Sequence, residues 1–546
     1  MYYVNCLKMV LCVLLLLFCY VQCHPGATDC DRRLADCRSE IEHSMHPNIP
    51  MRQKRGKIHT ADVHDDYYDE TSSLYWESWA QYTVHNHLRK AREHNTNKAK
   101  NVIFFLGDGM SIATLAAART YLGQRQGKTG EETRLSFEEF PYVGLSKTYC
   151  IDKQVPDSAC TATAYLCGVK GNFQTIGCNG RVELNDCKAA NTTVNQVQSL
   201  MALAQRAGKA TGFVTTTTVT HASPAGNYAH TSNRGFECDS DVTYEGLDPN
   251  ECQDIASQLV YNKPGDKIKV VFGGGRAKFL PKTTTDFDGY EGERADGKDL
   301  IEEWKKGKPN AKVLYDKRDF DSLDIENTDF ALGLFAPSHL DFNLDADRTK
   351  QPSLLEMTEA AIEILQKDEN GFFLFVEGGR IDHGHHNAQV IKALDETVEF
   401  SNAIKRAVEM TDHDNTLIVV TSDHAHTMTI AGYPDRGNPI TGLNSMLSDV
   451  DNLPSLTLSY ANGPGFGIYQ TQNGVRNITE IKIDKNTIYP GSYPTLRETH
   501  GGDDVGVFAL GCFSHLFSGV YEQNTIPHLI SYAACYGDGI TVCVPE

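Results

Sequence analysis

Short, continuously apolar runs alternate with longer amphipathic segments along most of the chain. Five runs are too short and too uniformly apolar to be surface helices, so they predict buried strands: residues 102–106, 212–216, 269–272, 372–376 and 417–420. Between them, residues 353–366 and 390–410 carry apolar side chains at three-to-four spacing, which predicts amphipathic helices. This alternation predicts an α/β fold with a large, mostly parallel central sheet flanked by helices.

The alternation is missing from two stretches of the chain. Residues 24–100 are polar and form an amino-terminal extension, and residues 433–497 are rich in Gly, Asn, Ser and Pro, which indicates an inserted subdomain. The extension contains Arg52-Gln-Lys-Arg55, which is either a solvated run of charge or a processing site that releases a pro-segment ending at Arg55. Residues 101–546 are expected to form one domain that includes the insertion.

The first 23 residues have the form of a signal peptide. Lys8 precedes an apolar run over residues 9–19 that is too short to cross a bilayer, and His24 and Pro25 end it. Export permits disulfides, and because four of the sixteen cysteines lie in this segment, twelve remain. Asn191 and Asn477 begin glycosylation sequons. The carboxyl end lacks the apolar tail of a lipid-anchor signal, so we expect a secreted protein with no transmembrane helix after signal removal.

The excess of acidic over basic residues disfavours one class of binding partner. Acidic residues outnumber basic ones by 71 to 51, giving a net charge of −20, so nucleic-acid binding is not expected. An anionic substrate would need a local source of positive charge.

Carboxylates, histidines and hydroxyls follow four of the predicted strands. They are Asp108, His221, Ser223, Glu377, Asp382, His386, Asp423 and His424. Open α/β sheets place their ligand crevice at the carboxyl ends of the strands, so these side chains should converge. Each alone has a structural explanation as a cap or turn former, but clustered carboxylates repel one another unless cations neutralise them. Mixed Asp and His ligands suit zinc, whereas an all-oxygen set suits magnesium.

Ser158 stands at a predicted helix start, in the segment Asp157-Ser-Ala-Cys-Thr-Ala-Thr-Ala164. One interpretation is a helix-capping serine. The other is a nucleophile, since backbone N–H groups at a helix amino terminus attract a phosphate. The segment alone does not choose between them.

Six motifs, in order along the chain, resemble those of the alkaline phosphatase family. They are residues 101–110, 157–164, 221–226, 376–386, 422–426 and 498–502. The resemblance implies hydrolysis of small phosphate monoesters at alkaline pH through a phosphoserine intermediate, with two zinc ions and one magnesium ion. It also implies a homodimer embraced by an amino-terminal helix, and it likens the insertion to the family's crown subdomain.

The resemblance assigns a role to each matching position. One zinc would bind Asp382, His386 and His500, and the second would bind Asp108, Asp423, His424 and the nucleophile Ser158. Magnesium would take Asp108, Ser223 and Glu377. His221 would lie just outside the magnesium ligands, and Arg234 would hold two phosphate oxygens.

Some cysteines, and the residues at the positions of a calcium site, differ from the family pattern. The resemblance implies the disulfides Cys187–Cys252 and Cys535–Cys543. Cys160 stands where many members have Gly, so Cys150 and Cys160 form either a bridge or two buried thiols, and the pairing of Cys167, Cys178, Cys238 and Cys512 stays open. Calcium is not predicted, because Ala336 and Gln351 replace expected acids, leaving only Asp286.

Two other classes of protein are alternatives to this assignment. One is a phosphodiesterase or sulfatase of the same superfamily, and the other is a metal-binding scaffold without catalysis. Ser158, Arg234 and the set of Ser223 and Glu377 disfavour the first, and the complete ligand set disfavours the second. The physiological substrate is not readable from these residues.

Overall fold

The computed structural model describes residues 71, 73–92, 94–469, 478 and 481–543. The predicted signal peptide, the candidate processing site at Arg55 and the sequon at Asn477 lie outside these residues. Within the described chain, residues 73–85 and 449–452 belong to one compact unit, and the remainder belongs to a second, much larger one. In the described residues, no helix has the length and apolar character needed to cross a membrane.

Helices and strands alternate along the described residues. The helices are α1 Ser73–Arg92, α2 Ile112–Arg125, α3 Ser158–Cys167, α4 Cys187–Ala190, α5 Leu200–Arg206, α6 Ala222–Ala225, α7 Asp239–Tyr244, α8 Ile255–Tyr261, α9 Leu300–Lys305, α10 Lys317–Asp321, α11 Leu354–Leu365, α12 Arg380–His386, α13 Val390–Met410 and α14 Ile526–Ala534. The strands are β1 Asn101–Gly107, β2 Tyr142–Lys147, β3 Ala210–Thr218, β4 Val270–Gly274, β5 Ala311–Leu314, β6 Phe330–Leu334, β7 Phe372–Gly378, β8 Thr416–Ser422, β9 Ala425–His426, β10 Met428–Ile430, β11 Leu458–Gly463, β12 Gly491–Pro494, β13 His500–Gly501, β14 Val505–Gly511 and β15 Gly519–Glu522.

A ten-stranded sheet forms the centre, in the order β15-β2-β14-β8-β1-β7-β3-β4-β6-β5. Every neighbouring pair from β8 to β5 is parallel, and β14 runs antiparallel to both β8 and β2. The predicted α/β fold with a mostly parallel sheet is therefore confirmed. A separate three-stranded sheet, β10-β11-β12, draws two of its strands from residues 433–497.

Apolar side chains pack on both faces of the large sheet. In β1, Ile103 and Phe105 belong to one buried cluster, whereas Val102, Phe104 and Leu106 belong to the other. Successive side chains of a strand point to opposite faces, so an uninterrupted apolar run is what a strand buried on both sides requires. The helices α11 and α13 cover the first face, and α3 and α14 cover the second. The sheet is thus a rigid support whose strand ends can hold polar side chains.

Candidate active site

The strand register brings the polar residues after β1, β7 and β8 to one edge of the sheet. Leu106 is level with Glu377, and Gly107 is level with both Gly378 and Ser422. Asp108 and Asp423 each lie one residue past these levels, so their side chains are neighbours although 315 positions separate them in sequence. A cavity of about 610 Å³ opens here, with Ser158 and Arg234 in its lining.

Asp382, His386 and His500 form the first ligand set. His386 and Asp382 lie one turn apart on α12, and their Nε2 and Oδ2 atoms are 3.3 Å apart. The Nε2 atom of His500 is 3.1 Å from that of His386 and 3.2 Å from Oδ1 of Asp382. Ligand atoms about 2.0–2.1 Å from one tetrahedral zinc are roughly 3.3 Å apart, so these separations fit a zinc ion.

Asp108, Asp423, His424 and Ser158 form the second set. The Nε2 atom of His424 is 3.0 Å from Asp423 Oδ2, 3.5 Å from Asp108 Oδ1 and 3.2 Å from Ser158 Oγ. All four residues are buried. A single imidazole nitrogen surrounded by two carboxylates and a hydroxyl matches the donors that zinc accepts.

Asp108, Ser223 and Glu377 form a third, all-oxygen set. Ser223 Oγ donates to Asp108 Oδ2 at 3.4 Å, so the two oxygens of Asp108 face different sets. Glu377 accepts hydrogen bonds from Thr215 and Thr217 through Oε2 only. Oxygen donors of this kind suit magnesium.

Unpartnered polar atoms test whether cations fit these sets. Within the second and third sets and His221, four buried side-chain atoms make no hydrogen bond: Asp108 Oδ1, Glu377 Oε1, His424 Nδ1 and His221 Nδ1. Burial raises the pKa of Asp423 to about 6 and that of Glu377 to about 7, and burial together with Asp423 raises the pKa of Asp108. Orphaned oxygens and mutually repelling carboxylates are what bound divalent cations would relieve, so the residues fit the metals.

Ser158 is the first residue of α3, and the helix cap is Asp157. The Asp157 carboxylate accepts the N–H groups of Ala159 and Cys160 at 3.2 and 3.4 Å. The N–H groups of Ala159 and Cys160 are therefore already satisfied by the cap and are not free to donate to a phosphate. The hydroxyl of Ser158 is left facing His424.

Arg234 lies beside the nucleophile in the cavity. Its Nη1 donates to Asp157 Oδ2 at 3.0 Å, and its Nη2 lies 2.9 Å from His221 Nε2. Since a guanidinium only donates, His221 Nε2 is the acceptor and its proton is on Nδ1. Asp157 and His221 therefore hold the planar guanidinium in one orientation toward the cavity.

His426 is a site residue that sequence reasoning left without a role. Its Nε2 contacts Asp382 Oδ1 at 2.6 Å, and its Nδ1 contacts Glu498, whose other oxygen accepts the backbone N–H of Thr427 at 2.8 Å. Gly109, at φ +68°, makes room for this ring, because an added Cβ would lie 2.4 Å from His426 Cδ2. The sequence feature that could have indicated a role for His426 is its position two residues after His424, within the motif at residues 422–426.

Three disulfides form within the described residues: Cys150–Cys160, Cys187–Cys252 and Cys535–Cys543. Cys167, Cys178, Cys238 and Cys512 are free thiols.

Asn191 is exposed beside the second disulfide, and its amide donates to Glu251 O at 2.5 Å. Asp286 accepts from the buried Arg276 at 2.8 Å.

Comparisons with known proteins agree with this geometry. A family model described as alkaline phosphatase matches residues 99–536. The chain is 48% identical to membrane-bound alkaline phosphatase of Bombyx mori, covering 87% of this chain and 88% of the relative, and 46% identical to the human tissue-nonspecific isozyme, covering 87% and 91%. The solved Thermus thermophilus alkaline phosphatase shares the fold, with a TM-score of 0.57 at 22% identity over 80% of this chain and 92% of that one. The chain therefore belongs to the alkaline phosphatase family, whose members hydrolyse phosphate monoesters.

Proposed function

We propose that this chain hydrolyses small phosphate monoesters at alkaline pH through a phosphoserine formed on Ser158, with two zinc ions and one magnesium ion. The observation that carries the proposal is the position of Ser158 Oγ, 3.2 Å from His424 Nε2 in the second ligand set. Asp382, His386 and His500 would hold one zinc, Asp108, Asp423 and His424 the other, and Asp108, Ser223 and Glu377 the magnesium. When bound, zinc lowers the pKa of a coordinated hydroxyl or water and offsets negative charge on phosphate oxygens.

The residues of the chain supply orientation and charge for the reaction. Ser158 Oγ attacks phosphorus, forming the Oγ–P bond while the bond from phosphorus to the alcohol oxygen breaks. Arg234, oriented by Asp157 and His221, donates to two phosphate oxygens, which a bidentate guanidinium does better than an ammonium group. Water then attacks the phosphorus of the phosphoserine, the Oγ–P bond breaks and inorganic phosphate leaves, and a proton from the water regenerates the Ser158 hydroxyl.

The charge of the site explains how an acidic protein attracts a phosphate. Three divalent ions bring six positive charges, and the carboxylates of Asp108, Glu377, Asp382 and Asp423 cancel four. Arg234 adds one, so about three positive charges face a phosphate dianion. The attraction is local and does not depend on the surface of the molecule.

Replacing Ser158 tests the proposal. We expect Ser158→Ala to lower kcat for an aryl phosphate by roughly 10³-fold or more, because the variant lacks the hydroxyl that lies 3.2 Å from His424 Nε2. The zinc and magnesium contents of the variant should be measured in the same preparation, with Ser322→Ala as an exposed control. Full turnover in a metal-loaded Ser158→Ala enzyme would refute the phosphoserine mechanism.

We also propose that the protein is exported, glycosylated and homodimeric, with residues 101–546 as its catalytic domain and 433–497 as an insertion. The three disulfides support export, since such bonds persist in oxidising compartments. Amino-terminal sequencing of the secreted protein distinguishes a chain that begins after residue 23 from one cut after Arg55.

A further inference from the structure

The cavity around Ser158 extends beyond the residues assigned to phosphate and metals. Among the other lining residues, Lys153 and Arg497 are cations, and Val155 and Phe173 are apolar. In the proposed function, phosphate contacts Arg234 and the ligand sets, which leaves Lys153, Val155, Phe173 and Arg497 available to the rest of the substrate.

Lys153 stands on a loop that is fixed to the nucleophile's helix. The disulfide Cys150–Cys160 joins the loop to α3, and the N–H of Cys150 donates to Lys153 O at 3.1 Å. The N–H of Phe173 donates to Asp152 Oδ1 at 2.8 Å. The backbone of Lys153 is thus held at a set distance from Ser158 and beside Phe173.

Arg497 stands on a second segment of the lining, just before Glu498 and His500. The N–H of Glu498 donates to His386 O at 2.9 Å, and His500 Nδ1 contacts Pro156 O at 2.7 Å. The backbone that carries Arg497 is therefore anchored both to α12 and to the loop that ends at Asp157.

Neither cation is neutralised within the part of the chain that the structure describes, where no carboxylate pairs with Lys153 or Arg497. Nearby acids are engaged elsewhere, since Asp157 pairs with Arg234 and Glu498 contacts His426. Both side chains belong to exposed residues, so a substrate can reach them. In a chain of net charge −20, two such cations at the mouth of one cavity are a local reversal of the overall charge.

We propose that Lys153 and Arg497 bind a second anionic group, such as a carboxylate, on the alcohol portion of the substrate, while Val155 and Phe173 contact its apolar carbons. The inference rests on the proposed function. In the reaction, the Ser158 Oγ–P bond forms and the bond from phosphorus to the alcohol oxygen breaks. The proton lost by Ser158 balances the one gained by the departing alcohol. The preferred substrates are thus aromatic or apolar phosphate monoesters that carry an additional negative charge.

Two aryl phosphates of matched shape test this inference. The metal-loaded enzyme is assayed with 4-carboxyphenyl phosphate and 4-carbamoylphenyl phosphate, which differ in the distal charge. We expect the ratio of kcat/KM, carboxylate over amide, to fall about five-fold in Lys153→Gln or Arg497→Gln and roughly twenty-fold in the double variant. Comparing ratios between enzymes cancels the different leaving-group chemistry of the two esters.

Matched variants separate charge recognition from a structural effect. Lys312→Gln/Arg318→Gln changes the net charge equally at exposed residues far along the chain, and it should keep the wild-type ratio. Lys153→Arg and Arg497→Lys retain the charge and should keep the ratio within about two-fold, and added salt should lower the wild-type ratio.

The outcomes distinguish this inference from the proposed function. An unchanged ratio in Lys153→Gln/Arg497→Gln, with both esters still hydrolysed, overturns the inference alone. If the metal-loaded wild type hydrolyses neither ester, the proposed function fails and the inference fails with it.

Discussion

Single residues in this site differ in which side-chain atoms are hydrogen-bonded and which remain available to bind a ligand. Asp108 turns one oxygen toward His424 and the other toward Ser223, so it can serve two ligand sets. His426 has no free nitrogen, because Asp382 and Glu498 occupy both. Burial would lower the pKa of His426, but the Glu498 charge and the contact with Asp382 raise it to about 10. The ring is therefore a donor that orients Asp382.

His426→Gln should weaken zinc binding at the first set by about 10–100-fold, because Asp382 loses the hydrogen bond that fixes its orientation. Glu498 would also keep a buried charge with one donor fewer. Zinc retained against graded concentrations of a chelator, quantified by elemental analysis, measures the effect directly.

His413→Gln is the matched control for that variant. His413 is partly buried, and its Nε2 contacts Val408 O at 3.1 Å, next to the start of β8 and not its carboxyl end. If the two variants retain zinc equally well, His426 does not position Asp382.

At the scale of elements, the sequence predicted the interior of the sheet better than its margins. The apolar runs at residues 102–106 and 372–376 match β1 and β7 within two residues, and residues 390–410 match α13. Five strands of the ten-stranded sheet were missed: the edge strands β5 and β15, and β2, β6 and β14 inside the sheet. The strands β2, β5 and β15 are short and partly exposed, so their sequences lack the continuous apolar run by which a buried strand is recognised. The strands β6 and β14 are mostly buried, but glycines interrupt their apolar runs.

The sequence likewise predicted one part of the candidate site and missed another part. Motif residues at strand ends, such as Asp108 and Asp423, could be expected to converge because parallel strands end at one edge. The roles of Asp157 and His426 could not be predicted from the sequence. Asp157 accepts the N–H groups of its helix, and the His426 ring lies between two carboxylates, and both arrangements depend on the directions of side chains. No spacing along the chain encodes those directions.

The bond between Cys150 and Cys160 links the loop before the nucleophile to α3, so its removal should affect both stability and catalysis. For a closed loop of about ten residues, we expect Cys150→Ser/Cys160→Ser to lose roughly 3 kcal/mol of unfolding free energy. We also expect kcat/KM to fall several-fold, because Lys153 and Ser158 lose a shared anchor. Denaturant unfolding and aryl phosphate kinetics measure the two effects.

The bond between Cys535 and Cys543 provides the control, because it closes a loop of similar length outside the cavity lining. Cys535→Ser/Cys543→Ser should lose comparable stability and keep its kcat/KM. Equal losses of activity in both double variants would mean that the first disulfide acts on stability alone.

For the whole molecule, the buried acids create a cost that only bound cations remove. Asp108, Glu377 and Asp423 are fully buried, and burial raises the pKa of each, in a protein that already carries a net charge of −20. A protein stripped of metal must keep these groups protonated or bear their repulsion. Its stability should therefore depend on pH in a way that the metal-loaded protein's does not.

Glu377 sets the direction of that dependence. Burial raises its pKa to about 7, above the ordinary value of about 4.3 for an unfolded chain. A raised carboxyl pKa means that the folded state binds the proton more tightly, so the stability it contributes is present below about pH 4 and is lost as the pH rises through 7. His426, whose pKa is raised to about 10, and His424, whose pKa burial lowers, are present in both proteins compared below, so their titration cancels in the comparison. Between about pH 6.5 and 8.5, chelated protein should therefore lose roughly 1 kcal/mol through Glu377.

Thermal unfolding of chelated wild type and chelated Glu377→Gln across that range isolates this contribution. Glu396, whose pKa burial also raises to about 7, is present in both proteins, so its titration cancels in the comparison. We expect Tm to fall more steeply with pH in the wild type than in Glu377→Gln, and we expect metal-loaded wild type to show the smallest fall, because bound cations keep the carboxylate ionised at no cost. Parallel Tm curves for the two chelated proteins would show that Glu377 ionises without penalty, and the charge relief attributed to the third ligand set would then be absent.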